Sequence, residues 1–373
     1  MIYLDNAATT NKKPKSVYNA VEKSIKSFSA NPGRGGYNLS LRAAEKIYKT
    51  REEIASFLKF PSAERVVFTL NATYALNMAI KGIIRERCHV VVSDVEHNSV
   101  IRPLYKLKDA LGIDISFFNS SADSLEEEIN SHIRPDTKAI ISTLASNVTG
   151  KEIPLTILSR IAKNRNVKLI VDASQYIGHK EIDLNKTPCT ALCAPAHKAL
   201  FGIMGLGFAV FSENTDISTL VEGGSGSMSR NIYMPDTLPE HLEAGTLPTP
   251  AIAALHEGIK YIKRIGIKNI EIQSERLTKM CCDAILSVPG NVVYGKNLGI
   301  VTFNMKNLNS EILCQYLNDY GICVRGGLHC APSVHKKLGT LKSGAVRVSM
   351  SHFSTENDIY RLYRALKRIE KNN

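Results

Sequence analysis

The chain has 373 residues, of which 44% are hydrophobic and 22% charged, a composition typical of a globular protein with one large core and room for a smaller domain. It contains no apolar run of about 18 residues, the length that a membrane helix needs, and its first residues, MIYLDNAATTNKKP, lack the basic-then-apolar order of a secretory signal, so we expect a cytoplasmic protein without a membrane partner. The net charge is +12, but no basic stretch is interleaved with aromatic residues, which argues against direct nucleic-acid binding. The remaining explanations of the charge are a generally basic surface, an acidic partner or an anionic ligand.

The predicted elements begin with a helix that Pro14 opens and that runs to about Ser29, because proline suits the first helical position. The segment NPGRGGYN follows as a loop. A long amphipathic helix is then predicted from about Ser40 to Leu58.

From about residue 60 to residue 212, strand-like and helical segments alternate. The strand-like runs are RVVFTL, HVVVSD, DISFFN, KAIISTL, KLIVDA, ALCAPA and GFAVFS. Several are apolar almost throughout, as in strands that are covered on both faces. The helical segments between them include ATYALNMAIKGII, SVIRPLYKLKDAL, SLEEEINSHI and LTILSRIAKNRN. This alternation predicts an α/β domain with a mostly parallel sheet.

Residues 222–250 are rich in Gly, Ser and Pro and are predicted to form a long loop, and such loops are often functional. A helix from about Ala251 to Ile265 should lead to a smaller α+β domain that contains GIVTFNM, GICVRGG, GAVRVSM and a terminal helix begun by STEND. We therefore predict a large domain of residues 13–255 and a small C-terminal domain of residues 256–373, joined by residues 1–12.

The eight cysteines show no CxxC pair and no metal-ligand spacing, so we expect no metal site. Most should be small buried hydrophobes, with at most one or two reactive. They are Cys88, Cys189, Cys193, Cys281, Cys282, Cys314, Cys323 and Cys330.

Two charged residues follow neighbouring strand-like runs. Asp172 ends KLIVDA and Lys198 comes just after ALCAPA, and ligands of open α/β sheets bind beyond the carboxyl ends of the strands. An acid and a lysine there suit pyridoxal phosphate, which needs an amine for its aldehyde and an acid to keep its pyridine nitrogen protonated. A helix cap and an ordinary surface lysine remain alternatives.

Three further segments could complete such a site. In FTLNATYALN a helix opens near Ala72 with Thr73 beside it, which predicts either a phosphate-binding helix N-terminus or an ordinary cap. His97 could stack on a pyridine ring or be a solvated loop histidine. Arg347 lies in the apolar run GAVRVSM, where it needs a partner, either a substrate carboxylate or a structural ion pair.

Together these segments resemble the class V aminotransferase-fold enzymes, and among them the cysteine desulfurases with a compact catalytic loop. The resemblance runs nearly end to end, through YLDNAATT, NATYALN, EHNS, SNVTG, VDASQ, AHK, EAGT and RGGLHCAP. It implies a type I fold of pyridoxal-phosphate enzymes, in which residues 13–255 are the cofactor-binding domain.

The resemblance also implies roles for the residues around the cofactor. Lys198 resembles the lysine that holds the cofactor as a Schiff base, and Asp172 the partner of the pyridine nitrogen. Gln175 resembles the donor to the ring phenolate oxygen. His97 resembles the histidine that stacks on the ring and takes part in catalysis.

Phosphate ligands are implied at Thr73, His197 and the backbone N–H of Ala72. Thr246, in EAGT, resembles a threonine that reaches the phosphate of the neighbouring subunit, which implies a homodimer. Asn147 and Arg347 resemble the groups that hold the substrate carboxylate.

Cys330, in GGLHCAP, resembles the cysteine that takes sulfur from L-cysteine as a persulfide, releases L-alanine and passes the sulfur to an acceptor thiol or protein, as in iron–sulfur cluster assembly. We expect positively charged neighbours, His329 and Arg325, to favour its thiolate. We also expect Gly326 and Gly327 to make the loop mobile.

The chain departs from the family pattern at Pro195, where relatives often have serine, at Tyr37 and at Leu328, where histidines are common. The alternatives are a selenocysteine lyase acting on L-selenocysteine, another class V aminotransferase or lyase, and a non-enzymatic basic binding protein.

Overall fold

The computed structural model describes residues 1–32, 35–213 and 215–372. Gly33 and Arg34 of the predicted NPGRGGYN loop lie outside the described residues. In the described ranges the helices are α1 (Lys15–Ser27), α2 (Asn38–Phe57), α3 (Ala72–Ile83), α4 (Asn98–Leu111), α5 (Leu125–His132), α6 (Leu155–Arg165), α7 (Thr249–Ile265), α8 (Ile267–Leu286), α9 (Ser310–Asp319), α10 (Pro332–Lys337) and α11 (Glu356–Asn372). The strands are β1 (Ile2–Tyr3), β2 (Val66–Thr69), β3 (His89–Ser93), β4 (Asp114–Phe118), β5 (Thr137–Thr143), β6 (Lys168–Asp172), β7 (Ala191–Pro195), β8 (Gly207–Phe211), β9 (Asn291–Asn297), β10 (Ile300–Met305), β11 (Ile322–Cys323) and β12 (Val346–Ser349).

A seven-stranded sheet with the order β2-β8-β7-β6-β5-β3-β4 forms the centre of the molecule. The strands from β3 to β7 pair in parallel, whereas β8 is antiparallel to both of its neighbours. Every residue of β3, β7 and β8 is buried, since helices cover both faces. The prediction of an α/β domain with a mostly parallel sheet is confirmed.

Helices α1 and α2 both pack against α7. Leu255 and Ile259 of α7 share one hydrophobic core with Ile47 and Ile54 of α2 and with the central sheet. Gly266 ends α7 with a positive φ of 87°. The division into residues 13–255 and 256–373 stays a prediction.

A second hydrophobic core lies under a three-stranded antiparallel sheet with the order β12-β10-β9. Helices α8, α9 and α11 pack on this sheet or on one another. The N-terminal strand β1 pairs in parallel with β11, and Ile2 and Leu4 are buried in this core. The first residues of the chain are thereby fixed beside its last third.

Between β8 and α7 the described residues form neither helix nor strand, as the composition of residues 222–250 predicts. Among the described residues, no helix is long and apolar enough to cross a bilayer.

Candidate active site

A polar cavity, called here the central cavity, lies beyond the carboxyl ends of β3, β5, β6 and β7. It brings together eight of the residues that the sequence suggested: Ala72, Thr73, His97, Asn147, Asp172, Gln175, His197 and Lys198. Pro195, at the end of β7, is part of its wall. Cys330, Arg347 and Thr246 are not among its lining residues.

One wall of the central cavity is the N-terminus of α3. Asn71 caps this helix, and its Oδ1 accepts a hydrogen bond from the backbone N–H of Tyr74 at 3.0 Å. Gly207 of β8 lets the turn approach the sheet, because a Cβ at this position would collide with the backbone of Asn71. The free N–H groups of the first helical turn can therefore bind an anion.

His97 caps α4 at the edge of the central cavity. Its Nδ1 accepts a hydrogen bond from the backbone N–H of Ser99 at 3.1 Å, so the proton of the neutral ring lies on Nε2. The hydroxyl of Ser99 lies 2.9 Å from this Nδ1 and 2.8 Å from Oγ1 of Thr73. Burial lowers the pKa of His97. Ser99 was not singled out from the sequence, although a serine two residues after a cap is a signal for such a bond.

Asp172 and Lys198 reach the same cavity because β6 and β7 are parallel neighbours in the sheet. Asp172 is buried, and its Oδ1 accepts a hydrogen bond from the backbone N–H of Ser174 at 2.8 Å. Loss of hydration lowers the pKa of Lys198 to about 8, and the nearby Asp172 only partly opposes this shift. A minor but appreciable fraction of this amine, roughly a tenth to a fifth, is therefore neutral near physiological pH.

The N-terminal segment is hydrogen-bonded to two residues that line the cavity. Gln175 donates from Nε2 to the carbonyl of Ala7 at 2.9 Å, and the carbonyl of His197 accepts from the backbone N–H of Thr10 at 3.1 Å and from Nζ of Lys13 at 3.0 Å. The buried Nδ1 of His197 has no hydrogen-bond partner among the described residues. Burial also lowers the pKa of His197 to about 4, so this ring is neutral at pH 7.

Arg347 is almost completely buried and forms an ion pair with Asp5, whose Oδ1 lies 3.0 Å from its Nη2. Its Nη1 donates to the carbonyl of Asn147 at 2.9 Å. The buried Nε of Arg347 has no partner in the described part of the chain. Of the two possibilities that the sequence left open, the structural ion pair is present, and the N–H at Nε is left without a partner among the described residues.

Among the eight cysteines, all within the described ranges, only Cys330 is exposed. Its carbonyl accepts a hydrogen bond from the backbone N–H of Asn98 at 2.8 Å, next to His97. The carbonyl of His329 accepts from Nδ2 of Asn147 at 2.7 Å. The loop that carries the thiol is therefore fastened to the rim of the central cavity at two points.

One expectation about this loop, the positive charge of His329, was wrong, and the mobility expected from Gly326 and Gly327 stays a prediction. His329 is buried, and burial lowers its pKa to about 3, so the ring is neutral and cannot be a positively charged neighbour of Cys330. Arg325, which is exposed, is the charged residue nearby in the sequence. Gly326 serves close packing, because a Cβ there would lie 2.8 Å from the carbonyl of Ser310. Gly327 has a positive φ of 96° and donates its N–H to Oγ of Ser310 at 3.3 Å.

Thr246 is exposed and lies in a separate cleft. The same cleft contains the buried ion pair of Arg51 and Glu243, whose Nη2 and Oε2 atoms are 2.7 Å apart. Glu243 also accepts the backbone N–H of Phe68 at 2.6 Å, which ties the EAGT segment to β2. Tyr37 and Leu328, two of the departures from the family pattern, are exposed.

Comparisons with known proteins show to which family the chain is similar. Residues 2–362 match the family model of class V aminotransferases. A probable cysteine desulfurase of Methanothermobacter thermautotrophicus is 32% identical, with 99% of this chain and 94% of that protein covered. A cysteine desulfurase of Klebsiella pneumoniae is 28% identical, with 100% and 94% covered. The apo structure of a cysteine desulfurase from Thermococcus onnurineus NA1 superimposes with a TM-score of 0.92 at 28% identity, covering 100% of this chain and 95% of that one.

Proposed function

Because this chain belongs to the class V aminotransferase family, we propose that it is a cysteine desulfurase, which releases L-alanine from L-cysteine and retains the sulfur. Its α/β architecture is the type I fold of pyridoxal-phosphate enzymes, as the sequence predicted. One observation carries the assignment of the chemistry: the single exposed cysteine, Cys330, is on a loop fastened to the rim of the cavity that contains Lys198.

The residues of the central cavity fit pyridoxal phosphate. Lys198 supplies an amine of lowered pKa for the aldehyde, and buried Asp172 supplies a carboxylate for the pyridine nitrogen. The N-terminus of α3, the hydroxyl of Thr73 and the unpartnered Nδ1 of His197 supply ligands for the phosphate. His97 and Gln175 line the same cavity, and we assign to them stacking on the ring and a hydrogen bond to its oxygen. When bound, this cofactor accepts the electron pair that is left when the substrate Cα loses its proton.

The chain's own residues bind the substrate and move its protons. Nε of Arg347 has an N–H free to donate to the substrate carboxylate, next to Asn147. Nζ of Lys198 removes the Cα proton, for which its pKa of about 8 is well suited because a general base works best near the ambient pH.

Sulfur transfer is assigned to Cys330. Its thiolate attacks the sulfur of the substrate, an S–S bond forms and the Cβ–S bond of the substrate breaks. The electron pair of that bond stays on the carbon skeleton, which takes up protons and leaves as L-alanine. The persulfide on Cys330 is accessible to an acceptor thiol or protein because this cysteine is exposed.

Several finer points are part of the same proposal. Thr246 lies outside the central cavity of its own subunit, which supports a homodimer in which it reaches the partner's phosphate. A cytoplasmic location, activity on L-selenocysteine and service to iron–sulfur cluster assembly stay predictions.

The test is an assay of L-alanine and persulfide formation from L-cysteine by the purified holoenzyme. Cys330→Ala should keep the yellow absorbance of the bound cofactor and lose persulfide formation. Cys189→Ala, at a partly buried position that packs against the core of the central sheet and lies outside the cavity, should behave like the wild type. Wild-type rates of persulfide formation with Cys330→Ala would refute the assignment. Parallel assays with L-selenocysteine measure the preference between the two substrates.

A further inference from the structure

A second histidine, His335, follows Cys330 on the short helix α10, and the proposed reaction does not use it. Its side chain is completely buried. The ring stacks on that of His329, with centroids 5.4 Å apart and planes inclined by 21°. Neither the position nor the partner of His335 was evident from the sequence.

The hydrogen bonds of the two rings fix where their protons lie. Nε2 of His329 is 3.2 Å from the carbonyl of Arg325, which can only accept, so this nitrogen carries the proton. Nδ1 of His329 therefore accepts from Nε2–H of His335, at 3.2 Å. Nδ1 of His335 in turn accepts from the hydroxyl of Thr340, at 2.8 Å. The result is a directed series of hydrogen bonds from Thr340 through His335 and His329 to the backbone at Arg325.

This series of bonds includes one of two residues with an unfavourable backbone conformation. His329 and Cys330 have φ angles of 51° and 56°, two consecutive left-handed residues that are not glycine. Thr340 is joined to His335 a second time, since its backbone N–H donates to the carbonyl of His335 at 2.8 Å. Such a turn persists only where its surroundings over-determine it, and the ring of His329, buried and bonded at both nitrogens, is a constraint on the residue next to Cys330.

We propose that His335 and Thr340 are positioning residues for sulfur transfer, which through His329 hold Cys330 in its left-handed turn at the rim of the central cavity. Neither residue lines that cavity. The expected effect of these two residues on sulfur transfer rests on the proposed function. The positioning itself concerns only the loop and can be measured without turnover.

The experiment compares four variants of the holoenzyme. His335→Leu removes the donor to His329, and His335→Gln replaces it with an amide N–H. Thr340→Val removes the hydroxyl at nearly constant shape, and Thr340→Ser keeps it. Three rates are measured for each: alkylation of Cys330 by iodoacetamide, single-turnover persulfide formation from L-cysteine, and exchange of the substrate Cα proton with deuterated water.

Persulfide formation should fall at least about tenfold in His335→Leu and about fivefold in Thr340→Val, because a misplaced reacting group loses its near-attack geometry. The alkylation rate of Cys330 should change as well, whereas Cα proton exchange, which depends on Lys198, should stay within about twofold of the wild type. His335→Gln and Thr340→Ser should recover most of the persulfide rate.

Wild-type persulfide and alkylation rates in folded Thr340→Val and His335→Leu would overturn the proposal. Equal losses of persulfide formation and proton exchange would also overturn it, because they indicate a general structural defect. If the wild type formed no persulfide while alkylation still depended on residues 335 and 340, the proposed function would fail and the positioning role would stand.

Discussion

Replacing Asp5 with Asn should destabilise the protein, because it removes the charge that compensates Arg347. The two side chains are 3.0 Å apart, with 2% of the arginine and 20% of the aspartate exposed. Coulomb's law with an effective dielectric constant of about 20 gives an attraction of about 5.5 kcal/mol at this distance. The exposed part of Asp5 and the hydrogen bond that Asn can still accept reduce the net effect, so we expect the free energy of unfolding to fall by about 3 kcal/mol.

The assay is urea unfolding of Asp5→Asn at pH 7, with Glu22→Gln as the matched control. Glu22 belongs to an exposed pair with Lys26, and its loss should change the free energy of unfolding by less than about 0.5 kcal/mol. A loss below about 1 kcal/mol for Asp5→Asn, with an unchanged slope against urea, would refute the view that Arg347 depends on this carboxylate.

Three other predictions follow from the site. The rate at which pyridoxal phosphate attaches to the cofactor-free protein, monitored by visible absorbance, should increase as the pH rises to about 8 and level off above it, because burial lowers the pKa of Lys198 to about 8. A rate that still rises at pH 10 would contradict this. Gly207→Ala should weaken pyridoxal phosphate binding at least about tenfold in a fluorescence titration, because a Cβ collides with the turn before α3; Gly36→Ala, where space is open, is the control and should bind normally. Burial lowers the pKa of His329 to about 3, so its contribution to stability is complete above the unfolded pKa of about 6.5 and is lost as the pH falls toward 3. Between pH 7 and pH 5, the free energy of unfolding of His329→Asn should therefore fall by about 2 kcal/mol less than that of the wild type, as measured by urea unfolding. Equal decreases in the two proteins would count against a neutral buried ring.

The central sheet was predictable because its strands are covered on both faces. Runs such as HVVVSD and GFAVFS are apolar almost throughout and have no competing helical period, and each forms a strand. The parallel neighbours β6 and β7 then place Asp172 and Lys198 at the same edge of the sheet. The two most informative residues of the cavity thus follow from local patterns and one topological rule.

The contacts that a local pattern cannot reveal join distant parts of the chain. The ion pair of Asp5 with Arg347 connects residues 342 positions apart, and the bond from Gln175 to Ala7 spans 168. No periodicity encodes these partners, so the sequence left the partner of Arg347 open. The expectation that His329 is positively charged was wrong for the same reason. Its burial and its stacking on His335 depend on tertiary packing, which the local sequence does not reveal.

The most direct test of the whole account is to locate the sulfur. The holoenzyme is treated with one equivalent of L-cysteine, digested under non-reducing conditions and analysed by mass spectrometry. The peptide containing Cys330 should gain the mass of one sulfur atom, while peptides with the other seven cysteines should not. L-alanine release with the added sulfur on another cysteine, or on none, would contradict it.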